Sequence, residues 1–436
     1  MRNLALASVL AVLAGTMTPA IAHEAAPCPS EIKRPTHCYT GKDVNGSIYW
    51  IALPQDWNKI LVVHAHGGPR IRQLGVEGNA RDLGRYAVIV NAGYAWVHSS
   101  FRQPGFAVRA AAQDTDIARQ LFVARFGKPR LTLLHGQSWG GNVAAKLMEM
   151  QASEMGGAGP FDGALITNGT LAGGVRGYDF RMDLRAVYQF YCNNHPRKNE
   201  PQYALNLGLP AGATLDLSDL IERLRECTGY RLKEEVRTPQ QRRNMANILN
   251  VARIAEQSVF AHMAWATYMF ADIAHNRMGG RSPFGNMNVR YGGSDDDEAL
   301  NRGVARFAPD PQAVKQMAHD ADLSGIINAP VLTLNAVGDR VAFVESSAHY
   351  RDRVLKAGHG DLLLQAFVNE SMHSGLPPAV YPALLDTLVT WIDTRKKPDQ
   401  AALASRCEYR FRTFGGICSF LPDYVAPPYD QRVRPR

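Results

Sequence analysis

Ser138 sits where an apolar run, Leu131-Thr-Leu-Leu-His-Gly136, passes through Gly136-Gln137-Ser138-Trp139-Gly140 into a helix-like stretch, Asn142 to Met150. A strand, a tight turn and a helix in this order force unusual backbone angles on the central residue and lift its side chain clear of the sheet. Small residues are required at 136 and 140, because a β-carbon at either position would collide with the neighbouring strand or helix. A serine hydroxyl held this way becomes a nucleophile once a base takes its proton, and the chemistry it suits is acyl transfer.

Three further segments carry the groups that such a serine needs. The buried-type strand Lys59-Ile-Leu-Val-Val-His-Ala65 ends in His66-Gly67-Gly68-Pro69. Acyl transfer passes through a tetrahedral oxyanion, which is stabilised by two preorganised N–H donors. One donor is assigned to Trp139, just after the serine, and the other to Gly68, since Pro69 has no N–H. His66 is read as a brace for this loop. The strand Val331-Leu-Thr-Leu-Asn-Ala-Val337 runs out into Gly338-Asp339, placing an acid at a strand edge. The strand from Leu362 opens into a loop with His373. His373 is the candidate general base, and Asp339 the acid that orients it. Asp361 and Glu370 are rival acids. His359, in Gly358-His359-Gly360, is a rival base, although it precedes a strand instead of following one.

With the order Ser138, Asp339, His373 and the loop His66-Gly67-Gly68, the chain resembles the α/β-hydrolase superfamily over roughly residues 45–172 and 323–396. The resemblance implies an α/β-hydrolase fold, a mostly parallel sheet flanked by helices, with an inserted, mainly helical lid. It implies a serine hydrolase that cleaves carboxylic esters through an acyl-enzyme on Ser138, with no metal and no organic cofactor. Within the superfamily, His66-Gly67-Gly68-Pro69 is similar to the loop of proline iminopeptidases. The alternative expectation is therefore a serine aminopeptidase of that type. It would need an acid to hold the substrate's α-ammonium group, and Glu226, Glu234, Glu235 and the run Asp295-Asp296-Asp297-Glu298 are candidates. A different chemistry is suggested by His64-Ala65-His66: histidines on alternate strand residues point to one face and could share a metal that activates water.

The remaining sequence must position these groups. Residues 1–22 pair a charged start with an apolar run, Leu4 to Leu13, and a small-residue site ending at Ala22. This reads as a cleaved export signal, so the mature chain is expected to be secreted or periplasmic. Six cysteines follow, an even number suited to an oxidising compartment. Their clustering suggests the pairs Cys28–Cys38, Cys192–Cys227 and Cys407–Cys418. The 436-residue chain has a net charge of +8, but its basic residues are scattered and form only short clusters, such as Arg432 to Arg436. A scattered basic surface reads as a solvated face, so no nucleic-acid partner is expected. No later stretch is long and apolar enough for stable membrane insertion. The expected partner is a small-molecule or polymer ester, and oligomeric state is not legible.

Residues 23–45 read as a polar arm. Ser47–Leu53 and Lys59–Ala65 are strand candidates, the apolar segments Tyr86–Val90 and Tyr94–Ser99 flank Asn91-Ala92-Gly93, and Val108–Arg125 is helical up to the stop signal Gly127-Lys128-Pro129. Gly163–Gly169 is the strand after the serine's helix. The pattern breaks between 172 and 322, an insertion expected between the sixth and seventh strands, above the sheet edge where ligands bind. The expected division is 23–172 and 323–400 for the core, 173–322 for the lid and 401–436 for a tail. Tyr188, Phe190, Tyr191, Phe260, Trp265, Tyr268 and Phe270 are candidate pocket lining. Asn168-Gly169-Thr170 is a glycosylation sequon by pattern and carries no functional weight.

Overall fold

A computed structural model describes residues 23–154 and 159–436. The expected export signal, residues 1–22, lies outside the described residues. The described strands are β1 (Glu24–Ala26), β2 (Thr36–Lys42), β3 (Ile48–Pro54), β4 (Ile60–Ala65), β5 (Ala95–Ser99), β6 (Leu131–Gln137), β7 (Gly163–Thr167), β8 (Val331–Ala336) and β9 (Leu363–Val368). They form one sheet in the order β1-β2-β3-β5-β4-β6-β7-β8-β9. From β5 to β9 every neighbouring pair is parallel, while β1, β2 and β3 join antiparallel. This is the mostly parallel sheet flanked by helices that the alternation of strands and helices predicts.

Alternate strand residues point to opposite faces, and each face has its own core. Leu61, Val63 and Ala65 of β4 pack with residues of the helices Val108–Phe126 and Trp139–Glu154. Ile60 and Val62 pack on the other side with Ile89, Val90, Leu384, Leu388 and Trp391. Fully buried strands flanked by helices explain why these segments read as continuous apolar runs.

Two readings are corrected. The arm at residues 23–45 contributes β1 and β2 to the sheet. Of β2, only Cys38 is buried, so an edge strand leaves almost no apolar pattern in the sequence. The apolar segment Tyr86–Val90 supplies no strand, because Ala87–Asn91 is a short helix with Ile89 and Val90 buried. Tertiary burial overrides the β preference of Val-Ile-Val here. The insertion consequently falls between the seventh and eighth strands, β7 and β8. Its described regular elements are helices, from Val175–Cys192 to Pro311–Ala321.

All three cysteine pairs expected from clustering are disulfides: Cys28–Cys38, Cys192–Cys227 and Cys407–Cys418. The segment after residue 400 begins as the helix Gln400–Phe414, which packs on Val380–Thr394. The end of the chain is tethered rather than solvated. The Arg434 guanidinium donates to the carbonyls of Val251 and Gly292, and Arg436 Nη1 lies 3.0 Å from Asp183 Oδ2. Among the described residues, no helix is long and apolar enough to cross a membrane.

Burial leaves several histidines poor bases. It holds His66 down to about 4 and His98 to about 3, and it lowers His135 and His262 well below their ordinary value. These rings are neutral when folded and take up protons on unfolding. Their stabilisation is therefore complete above the unfolded value of about 6.5 and is lost as the pH falls from there toward the folded values. Burial also raises Asp179 to about 6 and lifts Asp114, Glu149, Asp183, Asp320 and Asp322, which acts in the opposite direction as the pH falls through their folded values, against seven histidines that burial holds down, His23, His195 and His349 being the other three. His66 alone should cost roughly 2 kcal/mol at about pH 5. We predict that the urea midpoint, followed by tryptophan fluorescence, drops clearly between about pH 7.5 and about pH 5; a flat profile would refute neutral burial of these rings.

Candidate active site

The turn at Ser138 is built as the glycine spacing requires. Ser138 has φ +59°, in the left-handed region that side chains rarely occupy, between β6 and the helix Trp139–Glu154. A β-carbon on Gly136 would stand 2.2 Å from the Gly140 carbonyl oxygen, and one on Gly140 would stand 2.1 Å from that of Ala65. Either substitution would push the helix off the sheet. The backbone at Ser138 is fixed by hydrogen bonds: its N–H donates to the Thr167 carbonyl at 3.2 Å, and its carbonyl accepts from Gly141 at 2.9 Å and Thr170 at 3.0 Å.

The structure brings Ser138, His373 and Asp339 together. His373 Nε2 lies 2.8 Å from Ser138 Oγ, and His373 Nδ1 lies 2.7 Å from Asp339 Oδ2. The Asp339 carboxylate is fully buried, and its other oxygen accepts from the N–H groups of Val341 at 2.8 Å and Ala342 at 3.2 Å. An acid so saturated with donors has one direction left in which to act, toward the Nδ1–H of His373. Neither rival acid reaches this histidine: Glu370 accepts from the Ser419 hydroxyl at 2.7 Å, and Asp361 lies in the short helix Gly360–Leu362 before β9. His359 caps that same short helix, on the far side of β9 from His373 in the chain.

Two residues that sequence reasoning did not assign hold the histidine loop. Gln137 Nε2 donates to the His373 carbonyl at 2.7 Å. Asn168 Nδ2 donates to the carbonyls of Met372 and His373, each at 3.0 Å, while its Oδ1 accepts from the Ala336 N–H at 2.8 Å. Asn168 is buried, which bars it from glycosylation in the folded chain despite its sequon. The available signal was its place just after β7, beside the strand that leads to Asp339.

The loop after β4 lies against the serine. A β-carbon on Gly67 would come within 3.5 Å of Ser138 Cβ and 2.9 Å of Gln137 Oε1, and one on Gly68 within 3.6 Å of the Trp139 ring. Trp139 opens its helix, so its N–H has no intrahelical acceptor. Among the described residues, the Gly68 N–H has none either. His66 braces this loop, its Nδ1 donating to the Gly67 carbonyl at 2.8 Å and its ring stacking on Phe101 at 4.1 Å.

His64 and His66 do not form a pair. His64 Nδ1 is 2.9 Å from His135 Nδ1, and its Nε2 is 3.2 Å from Asp82 Oδ2. His66 instead turns to its own loop, so the alternation expected of a strand fails where β4 ends at Ala65. Among the described residues, no group of three or more histidines, cysteines or acids could hold a metal ion.

Of the seven candidate lining aromatics, Trp265 connects with the site. Its ring stacks on Tyr178 at 5.4 Å, Tyr178 packs edge-on against Phe106 at 5.2 Å, and Phe106 against Trp139 at 6.0 Å. Phe270 stacks on Phe284, Phe190 packs on Tyr191, Phe260 on Tyr230, the Tyr188 hydroxyl donates to Asn194, and that of Tyr268 to the Asp216 carbonyl. Most of the candidate ammonium-binding acids are engaged elsewhere. Glu226 pairs with Arg197, Glu234 with Arg237, Asp295 with Arg243 and Glu298 with Arg302, while Asp296 and Asp297 accept backbone N–H groups around the helix Asp297–Gly303; Glu235 lies in the short helix Glu234–Val236, none of whose residues is buried.

No family model matches the chain, and no curated protein does. Among solved structures it is similar to lipase A of Candida antarctica, at 10% identity over 95% of this chain and 88% of that one with a TM-score of 0.44. It is likewise similar to an esterase from the bacterial hormone-sensitive lipase family, at 14% identity over 90% and 87% with a TM-score of 0.37. A third is the rice cell wall degrading esterase LipA from Xanthomonas oryzae, at 11% identity over 86% and 89% with a TM-score of 0.38.

Proposed function

We propose that the protein is an exported serine hydrolase that cleaves carboxylic esters. The observation that carries this reading is the unbroken line Asp339–His373–Ser138, at 2.7 and 2.8 Å, ending on a serine held at positive φ. Ser138 Oγ attacks the ester carbonyl carbon as His373 Nε2 takes its proton. The carbonyl oxygen becomes an oxyanion, held by the N–H groups of Gly68 and Trp139. His373 returns the proton to the alcohol oxygen as the C–O bond breaks, leaving the acyl group on Ser138. Water then attacks that carbonyl carbon as His373 takes its proton; the acyl–Oγ bond breaks, His373 returns the proton to Ser138 Oγ, and the carboxylic acid leaves. Asp339 keeps Nδ1–H of His373 pointed away from the serine and stabilises the imidazolium at each step. The leader, with its charged start, apolar run Leu4 to Leu13 and small-residue site ending at Ala22, and the three disulfides support export, since disulfides persist in oxidising compartments. Peptide-bond cleavage of the iminopeptidase type has less support, because most of the acids it would call on are paired or capping elsewhere and nothing places Glu235 at the site.

Fluorophosphonate labelling and hydrolysis of p-nitrophenyl butyrate test this directly. Ser138→Ala should abolish labelling and lower kcat by about 10⁴-fold or more. Asp339→Asn should lower kcat by about 10³–10⁴-fold with much less change in KM. Hydrolysis that survives Ser138→Ala, or a proline arylamide cleaved faster than the aryl ester, would overturn the reading.

Asn168 acts through His373. Asn168→Ala frees the Met372 carbonyl and leaves that of His373 to Gln137 alone, and misplacement of the base by about 1 Å costs on the order of 10²-fold. A fall in kcat and in the fluorophosphonate labelling rate by similar factors, with KM little changed, is the expected result. Unchanged labelling would show that the clamp contributes nothing to catalysis.

A further inference from the structure

Arg181 is 3% exposed, yet its charge has no counter-ion. Among the described residues, no carboxylate lies within ion-pair distance of it, its Nε has no hydrogen-bond partner, and Nη1 donates only to the Gly177 carbonyl at 3.3 Å. Its guanidinium lies against the rings of Phe180 at 4.4 Å, Tyr178 at 4.6 Å and Trp265 at 4.8 Å. Aromatic faces stabilise a buried cation but leave its N–H donors unused, and buried donors left unpaired are costly. Two other buried arginines have carboxylate partners, Arg223 with Glu200 and Arg237 with Glu256. Arg185 has an unpartnered Nε as well, but both of its terminal nitrogens donate, to the His195 carbonyl and the Tyr203 hydroxyl.

Arg181 also faces a cavity of about 20 Å³, lined by Thr170, Phe180, Val341, Phe343 and Ser346, with room for one small polar group. Two residues of this cavity's wall are hydrogen-bonded to Ser138 and Asp339. The Thr170 N–H donates to the Ser138 carbonyl, and the Val341 N–H donates to the Asp339 carboxylate. Across the cavity, an unpaired cation thus faces Thr170 and Val341, the residues that hold the Ser138 carbonyl and the Asp339 carboxylate.

We infer that Arg181 is a substrate-binding residue that receives a carboxylate carried a few bonds from the scissile carbonyl, so that the preferred substrates are anionic esters. The inference rests on Ser138 being the nucleophile. Arginine suits the task because its planar fork can hold a carboxylate through two N–H donors. A neutral ester leaves those donors unpaired, and such sites discriminate strongly against the analogue that lacks the matching group.

Matched ester pairs test the inference and distinguish the two possible sources of the carboxylate. The acyl arm compares mono-p-nitrophenyl glutarate with p-nitrophenyl butyrate. The alcohol arm compares 4-butyryloxybenzoate with its methyl ester. In one arm the wild type should favour the anionic member in kcat/KM by about tenfold or more, and Arg181→Met should lower that ratio at least about tenfold, mainly through KM, with partial recovery in Arg181→Lys. Ratios at or below one in both arms, or a ratio that Arg181→Met leaves unchanged, would overturn the inference. If Arg181→Met does not fold, inhibition of the wild type at fixed ionic strength decides. Competition by glutarate or benzoate but not by the corresponding amides supports the site, and equal or absent competition refutes it. Fluorophosphonate labelling of Ser138 separates the two failures: labelling without anion preference defeats only the role of Arg181, whereas absence of both labelling and ester hydrolysis defeats the hydrolase reading beneath it.

Discussion

The structure turns on one crowded crossing, where the chain leaves β6 at Gln137 and enters its helix at Trp139. Ser138 must take a φ of +59° to make that turn, and the absence of β-carbons at Gly136 and Gly140 is what lets helix and sheet close around it. Because β4 and β6 to β9 are parallel, the segments that follow them emerge at the same edge of the sheet. Gly67 and Gly68 follow β4, Asn168 follows β7, Asp339 follows β8 and His373 follows β9. Each reaches the serine by leaving its strand at the right end, which is why residues hundreds of positions apart meet within hydrogen-bond distance.

Of these segments, the histidine loop has the weakest local determinants. Residues 369–379 contain no helix or strand, and backbone hydrogen bonds anchor only the ends of the stretch: the Asn369 N–H donates to the Ser419 carbonyl and the Glu370 carbonyl accepts from Gly338, while Pro377 and Ala379 accept from Val380 and Ala383. The loop is held by side chains borrowed from the sheet edge, Gln137 from the serine's turn and Asn168 from the end of β7, both grasping the His373 carbonyl. Asn168 also accepts from Ala336 in β8, so one buried amide ties His373 to the strand that leads to Asp339. The placement of His373 is therefore set largely by the sheet edge, and less by the loop in which the residue lies.

Much of this was legible in the sequence, and what was not failed for identifiable reasons. The serine turn could be read because steric exclusion at Gly136 and Gly140 is local. The positions of Asp339 and His373 could be read because Asp339 follows a fully buried strand and His373 one that is buried except at Gln365. The cysteine pairs could be read because partners lie close in the chain. Gln137 and Asn168 were missed because their roles depend on which loop crosses above them, a long-range fact that no local pattern encodes. The strand β2 was missed because an edge strand with a single buried residue lacks alternation, and Ala87–Asn91 was obscured because its burial overrides the preference of its β-branched residues. The unpaired state of Arg181 is equally invisible in sequence, since it is a statement about what does not surround it.

The central claim is that Ser138 carries the acyl group during turnover. Acid-quenching the wild type within the first turnovers of p-nitrophenyl acetate, followed by digestion and peptide mass mapping, measures this most directly. The account predicts an acetyl group on the peptide that contains Ser138, absent from Ser138→Ala under the same quench. Ester turnover in the wild type with that peptide unmodified, and the acetyl group on another residue or on none, would contradict it.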